Sequence, residues 1–160
     1  MTTQQILNRE FNLIKEDLIK EYDRLNMRAS GKTADSLEVT STESRGQLTG
    51  SSVWGALEFG RSPSKGGGKP GKLIDQIKQW IIDKGIVSDI KNDNDNSSLA
   101  FLITRKIHRD GWKREKHGGV EVVSNVITEQ RIQSIIDMVG NELTITLVSK
   151  IENDFKQIAV

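Results

Sequence analysis

Residues 66–73, Gly-Gly-Gly-Lys-Pro-Gly-Lys-Leu, place glycines and lysines where a phosphate-binding loop has them. In such a loop the backbone N–H groups cradle phosphate oxygens, and a lysine reaches the outer phosphates. A Ser or Thr hydroxyl immediately after it holds magnesium. Leu73 stands where that hydroxyl belongs, and the polar run Arg61-Ser62-Pro63-Ser64-Lys65 stands where a buried strand should lead in. Two physical requirements fail, so the stretch reads as a surface loop and not as a nucleotide site.

Other chemistry is equally sparse. His108 and His117 lie nine residues apart, without the spacing that puts two imidazoles on one helix face. Asp93 and Asp95 resemble the start of a calcium loop, but the glycine at its sixth position and the closing glutamate are missing. There is no Gly-x-Ser-x-Gly elbow and no pair of carboxylates in an apolar setting. Without cysteine, neither a disulfide framework nor a thiolate metal site exists. The chain reads as a non-enzyme with no catalytic residue, no metal and no cofactor.

Basic residues do gather in two places. Lys65, Lys69 and Lys72 share one glycine-rich loop, residues 61–72. Arg105, Lys106, His108, Arg109, Lys113, Arg114, Lys116 and His117 surround a second, residues 110–119, with Trp112 inside it. An aromatic ring within a basic run suits stacking on a base or an arginine. The bland reading is a solvated face; the sharper ones are direct nucleic-acid contact or the lining of a channel that DNA traverses. A net charge of +1 gives no global electrostatic attraction to nucleic acid, so any basic surface is local.

The elements that must position these loops show in the hydrophobic period. Leu7, Phe11, Ile14, Leu18, Tyr22 and Leu25 mark one face of a helix over 4–28, fit to cover the chain's own sheet or to lie along a partner. Residues 29–35 carry turn types. Strands over 36–41 and 47–52 form a hairpin about a turn at 43–46, and 53–59 makes one or two turns packed on it. Leu73, Ile74, Ile77, Trp80 and Ile81 predict a helix ending near Gly85. Leu99, Leu102, Ile103 and Ile107 predict another over 98–109, after a solvated Asn/Asp loop.

Val120–Val123 reads as a short strand. Thr128 is a good helix N-cap, and Ile132, Ile135, Val139, Leu143, Leu147, Ile151 and Phe155 continue one helix over 128–157, bent at Gly140. The β-branched run 143–148 fits a strand as an alternative.

With 160 residues the chain reads as a single domain, 1–160, with a C-terminal helical region over 128–158. Its 35% apolar and 28% charged content, with a mean hydropathy of −0.47, is polar for a self-sufficient globule. Sharing apolar surface with neighbouring subunits resolves that. No basic N-terminal leader and no apolar run of membrane-spanning length occurs, so the chain reads as soluble and unprocessed.

The segment Trp54-Gly55-Ala56-Leu57-Glu58-Phe59-Gly60-Arg61, followed by Pro63 and then a helix, resembles the signature of the tail-completion, or minor tail, proteins of lambda-like tailed phages. Those proteins show an aromatic, a small residue, an apolar-Glu-Phe-Gly-Thr run and a proline-bearing loop. Arg61 replaces the usual threonine and Trp54 the more frequent tyrosine. The long helix and Leu/Ser-bearing strand that precede the signature are also similar, so the resemblance covers about residues 4–110. Its specific core is eight residues.

The resemblance implies an α+β fold, with a long N-terminal helix and further helices packed on a small antiparallel sheet, and a structural role in the virion neck or tail. Such subunits form a homo-oligomeric ring at the head–tail junction and contact other neck, tail or portal-side virion proteins. They are assembled in the bacterial host cytoplasm, in no association with a membrane. Trp54, Leu57, Glu58, Phe59 and Arg61 are then the expected subunit interface, against the plainer reading that Leu57 and Phe59 are core. Lys65, Lys69, Lys72, Arg109, Trp112, Lys113 and Arg114 are expected on channel- or partner-facing loops, with non-specific contact to DNA in the channel. The alternative is a small nucleic-acid-binding protein that uses the basic segment 105–117.

Overall fold

The computed structural model describes residues 1–64, 71–90, 93, 96–112 and 121–158. The fold is α+β: helices, with a single two-stranded antiparallel sheet among the described residues. Residue contacts divide the chain into two compact units that interleave along the sequence. One comprises Met1–Glu21, Leu37–Gly50 and Val123–Val160; the other comprises Tyr22–Ser36 and Ser51–Val122.

The first unit is built on α1 (Thr3–Arg24), the hairpin β1 (Glu38–Ser41) and β2 (Gly46–Thr49), and α7 (Glu129–Ile158). Thr2 opens α1 with a reciprocal cap. Its hydroxyl accepts from the Gln5 N–H (3.2 Å) while the Gln5 side-chain oxygen accepts from the Thr2 N–H (2.9 Å), which satisfies two otherwise orphaned donors. Ile6, Ile14 and Leu18 are buried along the inner face. The hairpin pairs Val39 with Leu48 and Ser41 with Gly46. Gly46 belongs to the strand, and the turn is closed by the Thr42 N–H donating to the Arg45 carbonyl (2.8 Å). A Cβ at Gly46 would lie 2.6 Å from the Phe11 ring, so the glycine lets α1 lie directly on β2.

α7 runs antiparallel to α1. The Arg131 guanidinium meets Asp17 at 2.9 Å, an Arg9 N–H reaches Met138 Sδ at 3.3 Å, and the N-terminal ammonium stands 4.0 Å from Glu142. Thr128 caps α7 as expected, its hydroxyl accepting from the Arg131 N–H (3.2 Å). The helix continues unbroken through Gly140 and through 143–148, which settles the helix-or-strand alternative there.

The second unit contains α2 (Lys32–Asp35), α3 (Val53–Phe59), α4 (Gly71–Asp83) and α5 (Ser97–Asp110). α4 and α5 pack against each other through Ile81, Ala100 and Thr104, all nearly inaccessible to solvent. The face of α5 is thus turned from the expected one: Leu102 is exposed, and the small Ala100 and Thr104 lie inside, where short side chains allow close approach. Gly85 ends α4 as expected. It adopts a φ of 64°, and the Ile86 N–H returns to the Ile81 carbonyl (3.0 Å).

Two expectations fail locally. Residues 29–35 contain the short helix α2, and α1 stops at Arg24, where Asn26 turns into the left-handed region. The expected strand at 120–123 is replaced by α6 (Val122–Val126). A lone four-residue alternation needs a strand to pair with, and Val122 is instead fully buried in a helix.

Candidate functional site

α3 is seven residues long, and the two aromatic ends of its motif have opposite fates. Trp54 is 7% exposed. Its ring sits 5.3 Å from that of Tyr22 at an interplanar angle of 50°, and its indole N–H donates to the Thr33 carbonyl (3.0 Å). A tilted ring pair with a satisfied N–H is how a tryptophan is held in an interior. Trp54 is therefore core and does not present a surface to a neighbour, contrary to its expected interface role. Phe59 is 81% exposed, while Leu57 and Glu58 are half-buried. The core reading of Phe59 is ruled out.

Immediately after Phe59 the chain enters a paired junction. Gly60 and Gly111 terminate α3 and α5 in nearly the same conformation, with φ 76° and ψ −167° for Gly60 and φ 76° and ψ −170° for Gly111. Each N–H returns one turn, Gly60 to the Ala56 carbonyl (2.8 Å) and Gly111 to the Ile107 carbonyl (3.0 Å). That backbone region is accessible essentially to glycine alone. The next residues then pair as an antiparallel bridge: the Arg61 N–H donates to the Trp112 carbonyl (2.8 Å) and the Trp112 N–H to the Arg61 carbonyl (2.7 Å). The Ser64 N–H donates to the His108 carbonyl (2.9 Å), and the Ser64 hydroxyl and His108 Nδ1 lie 2.7 Å apart. A Cβ on Gly111 would collide with the Arg61 carbonyl oxygen and press on Pro63 at 3.1 Å.

Ser64 and Trp112, the last described residues before the two glycine- and lysine-rich segments, thus belong to one junction. Residues 65–70 begin just beyond Ser64, and 113–120 just beyond Trp112. Lys65, Lys69, Lys113 and Arg114 lie outside the described residues. Lys72 is exposed at the start of α4, Arg61 is exposed, and Trp112 is half-buried. Arg109 does not present a free cation. Its guanidinium makes two hydrogen bonds to the adjacent Asp110 (2.7 and 2.8 Å), which raises the arginine pKa and lowers that of the aspartate. Arg105 and Lys106 are exposed on the same helix.

Asp93 has a structural role. It is 8% exposed and receives the Ser98 N–H (2.8 Å), the Leu99 N–H (2.9 Å) and the Ser88 hydroxyl (2.9 Å). Burial works to raise its pKa, but these donors outweigh it and hold the carboxyl below the usual aspartate range. It is a carboxylate at the N-terminus of α5, favoured there by unsatisfied N–H groups and the helix dipole. An open hollow beside it, lined by Ile86, Val87, Ser88, Ile90 and Asn96, has both carboxylate oxygens already committed.

Sequence reasoning missed the Arg61–Trp112 and Ser64–His108 pairings because they join segments distant in the chain. A usable signal was present: Gly60 and Gly111 each follow an apolar-periodic helix and precede a polar segment. Among the described residues, no three His, Asp or Glu side chains converge as a metal site, and no helix is long and apolar enough to cross a membrane. Comparison of the chain with protein-family models, with curated proteins and with solved structures gave no match.

Proposed function

We propose that this chain is a structural virion protein of a tailed phage, a head–tail connector or tail-completion subunit that assembles with copies of itself into a ring at the neck or tail. The observation that carries the reading is the exposure of Phe59 within the segment that bears the resemblance. An aromatic ring 81% open to water, set beside a rigid junction, is suited to seating in a pocket on the next subunit. A ring needs such a heterologous contact, in which one patch meets a different patch.

Arg61, exposed two residues beyond Phe59, adds a charge near it, and Leu57 and Glu58 are half-buried in the same segment. The lysines and arginine Lys65, Lys69, Lys72, Lys113 and Arg114 give this region the positive charge to meet adjoining virion proteins or DNA in the channel. The role is one of holding, with no catalytic step. Removal of the gene from its phage is expected to leave heads and tails unjoined, and electron microscopy of the purified chain is expected to show closed rings. A protein absent from purified virions, whose loss leaves tailed particles intact, would sink the reading.

A further inference from the structure

α7 outruns the helix it packs on. The first turns of α7 face α1 through Ile135, Met138, Val139 and Glu142, all half-buried. Glu142, the last of these, stands 4.0 Å from the ammonium of Met1. Every residue from Leu143 to Ile158 is exposed. At 1.5 Å per residue this overhang is about 24 Å of helix exposed along its whole length.

The overhang is not polar. Leu143, Ile145, Leu147, Val148, Ile151, Phe155 and Ile158 are between 45% and 81% exposed. They present on the order of 700 Å² of side chain, close to the ~800 Å² per partner of a standard stable interface. A single helix of this length is marginal in water and draws its stability from packing of its apolar face.

Two features select the occupant. Val148, Ile151, Phe155 and Ile158 follow the three–four spacing of a coiled-coil seam, and Leu143 and Leu147 widen the stripe to about 140° of arc. A two-stranded seam needs a narrower stripe, so each helix is built to touch two neighbours. The charges between are Lys150, Glu152, Asp154 and Lys156, two of each sign, so copies of this segment do not repel one another. We infer that residues 143–158 are a self-association segment, whose overhangs from three or more copies of this chain pack side by side in parallel into a helical bundle. This is a contact separate from the Phe59 face and stands whether or not the chain belongs to a phage.

The natural absence of cysteine makes the test direct. In the full chain, Ile151→Cys is expected to form disulfide-linked dimers under mild oxidation, about tenfold more than Asn153→Cys on the opposite face, because a disulfide needs Cα atoms within about 7 Å. The wild-type protein is expected to sediment as three or more copies and Ile151→Lys with Phe155→Lys to reduce that mass, while Phe59→Ser, even with its rings opened, still sediments as three or more copies. A monomeric wild-type chain, an undiminished mass in the double variant, or equal cross-linking at 151 and 153 overturns the proposal. A monomeric Phe59→Ser chain would do so too, while leaving the Phe59 face as the ring contact.

Discussion

Trp54 and Phe59 sit five positions apart in one short helix, yet they do opposite jobs. The Trp54 end is interior: a ring pair, a satisfied indole N–H and 7% exposure. The Phe59 end is a rim, where the ring is open and the backbone behind it is pinned by two glycines and an antiparallel bridge. One aromatic residue builds the platform and the other is displayed on it. A motif read as a unit therefore divides into a part that sets stability and a part that is free to meet a neighbour.

Substitution should separate the two ends. Trp54→Ala removes a buried ring and one of the two donors to the Thr33 carbonyl, the other being the Ser36 hydroxyl, so a loss of about 3–5 kcal/mol is expected in urea unfolding. A loss below about 1 kcal/mol would break the assignment of this end to the core. Gly111→Ala is next. It forces a side chain into a glycine-only conformation against the Arg61 carbonyl and is expected to cost roughly 2–3 kcal/mol. Its mark beyond lost stability is that amide exchange at Arg61 and Trp112 should accelerate together, since each N–H is held by the other's carbonyl.

Asp93 links the interior to the rim by capping the helix that ends at Gly111. Its folded pKa is depressed, so its contribution is fully present above the unfolded value near ~4 and is lost as pH falls through the folded value. Asp93→Ala should lower Tm by about 3–5 °C at neutral pH. Between neutral pH and pH 3 the variant should lose less stability than the parent chain; an equal acid response would remove Asp93 from this role. The smallest effect belongs to Phe59→Ser, expected to change stability by no more than about 0.5 kcal/mol. In the same variant, closed rings should disappear from micrographs if the face seats a neighbour.

Much of the fold was legible. The 3.6-residue period marked α1, α4, α5 and α7, Thr128 announced its cap, and Gly85 its C-terminus, because these depend on neighbours within a turn. The strand expected at 120–123 fails because a four-residue run rich in valine carries no information about whether a partner strand exists. Leu102 shares the apolar spacing of Leu99, Ile103 and Ile107 but is exposed, because the inner face of α5 is made by the small Ala100 and Thr104. Asp93 was compared with a calcium ligand because the acceptor chemistry of a carboxylate is the same for a cation and for backbone N–H groups; only the position of Ser98 and Leu99 distinguishes them.

By itself the sequence determined the four long helices α1, α4, α5 and α7, the hairpin, and the failure of the glycine–lysine loop as a phosphate site, since Leu73 has no hydroxyl to offer. Tertiary structure alone decided that Trp54 is interior and Phe59 displayed, that Gly60 and Gly111 pin two distant segments at one junction, and that α7 runs on past α1. Local periodicity states that a face is apolar. Which surface covers it depends on where the rest of the chain lies, and along α7 the half-buried positions stop at Glu142.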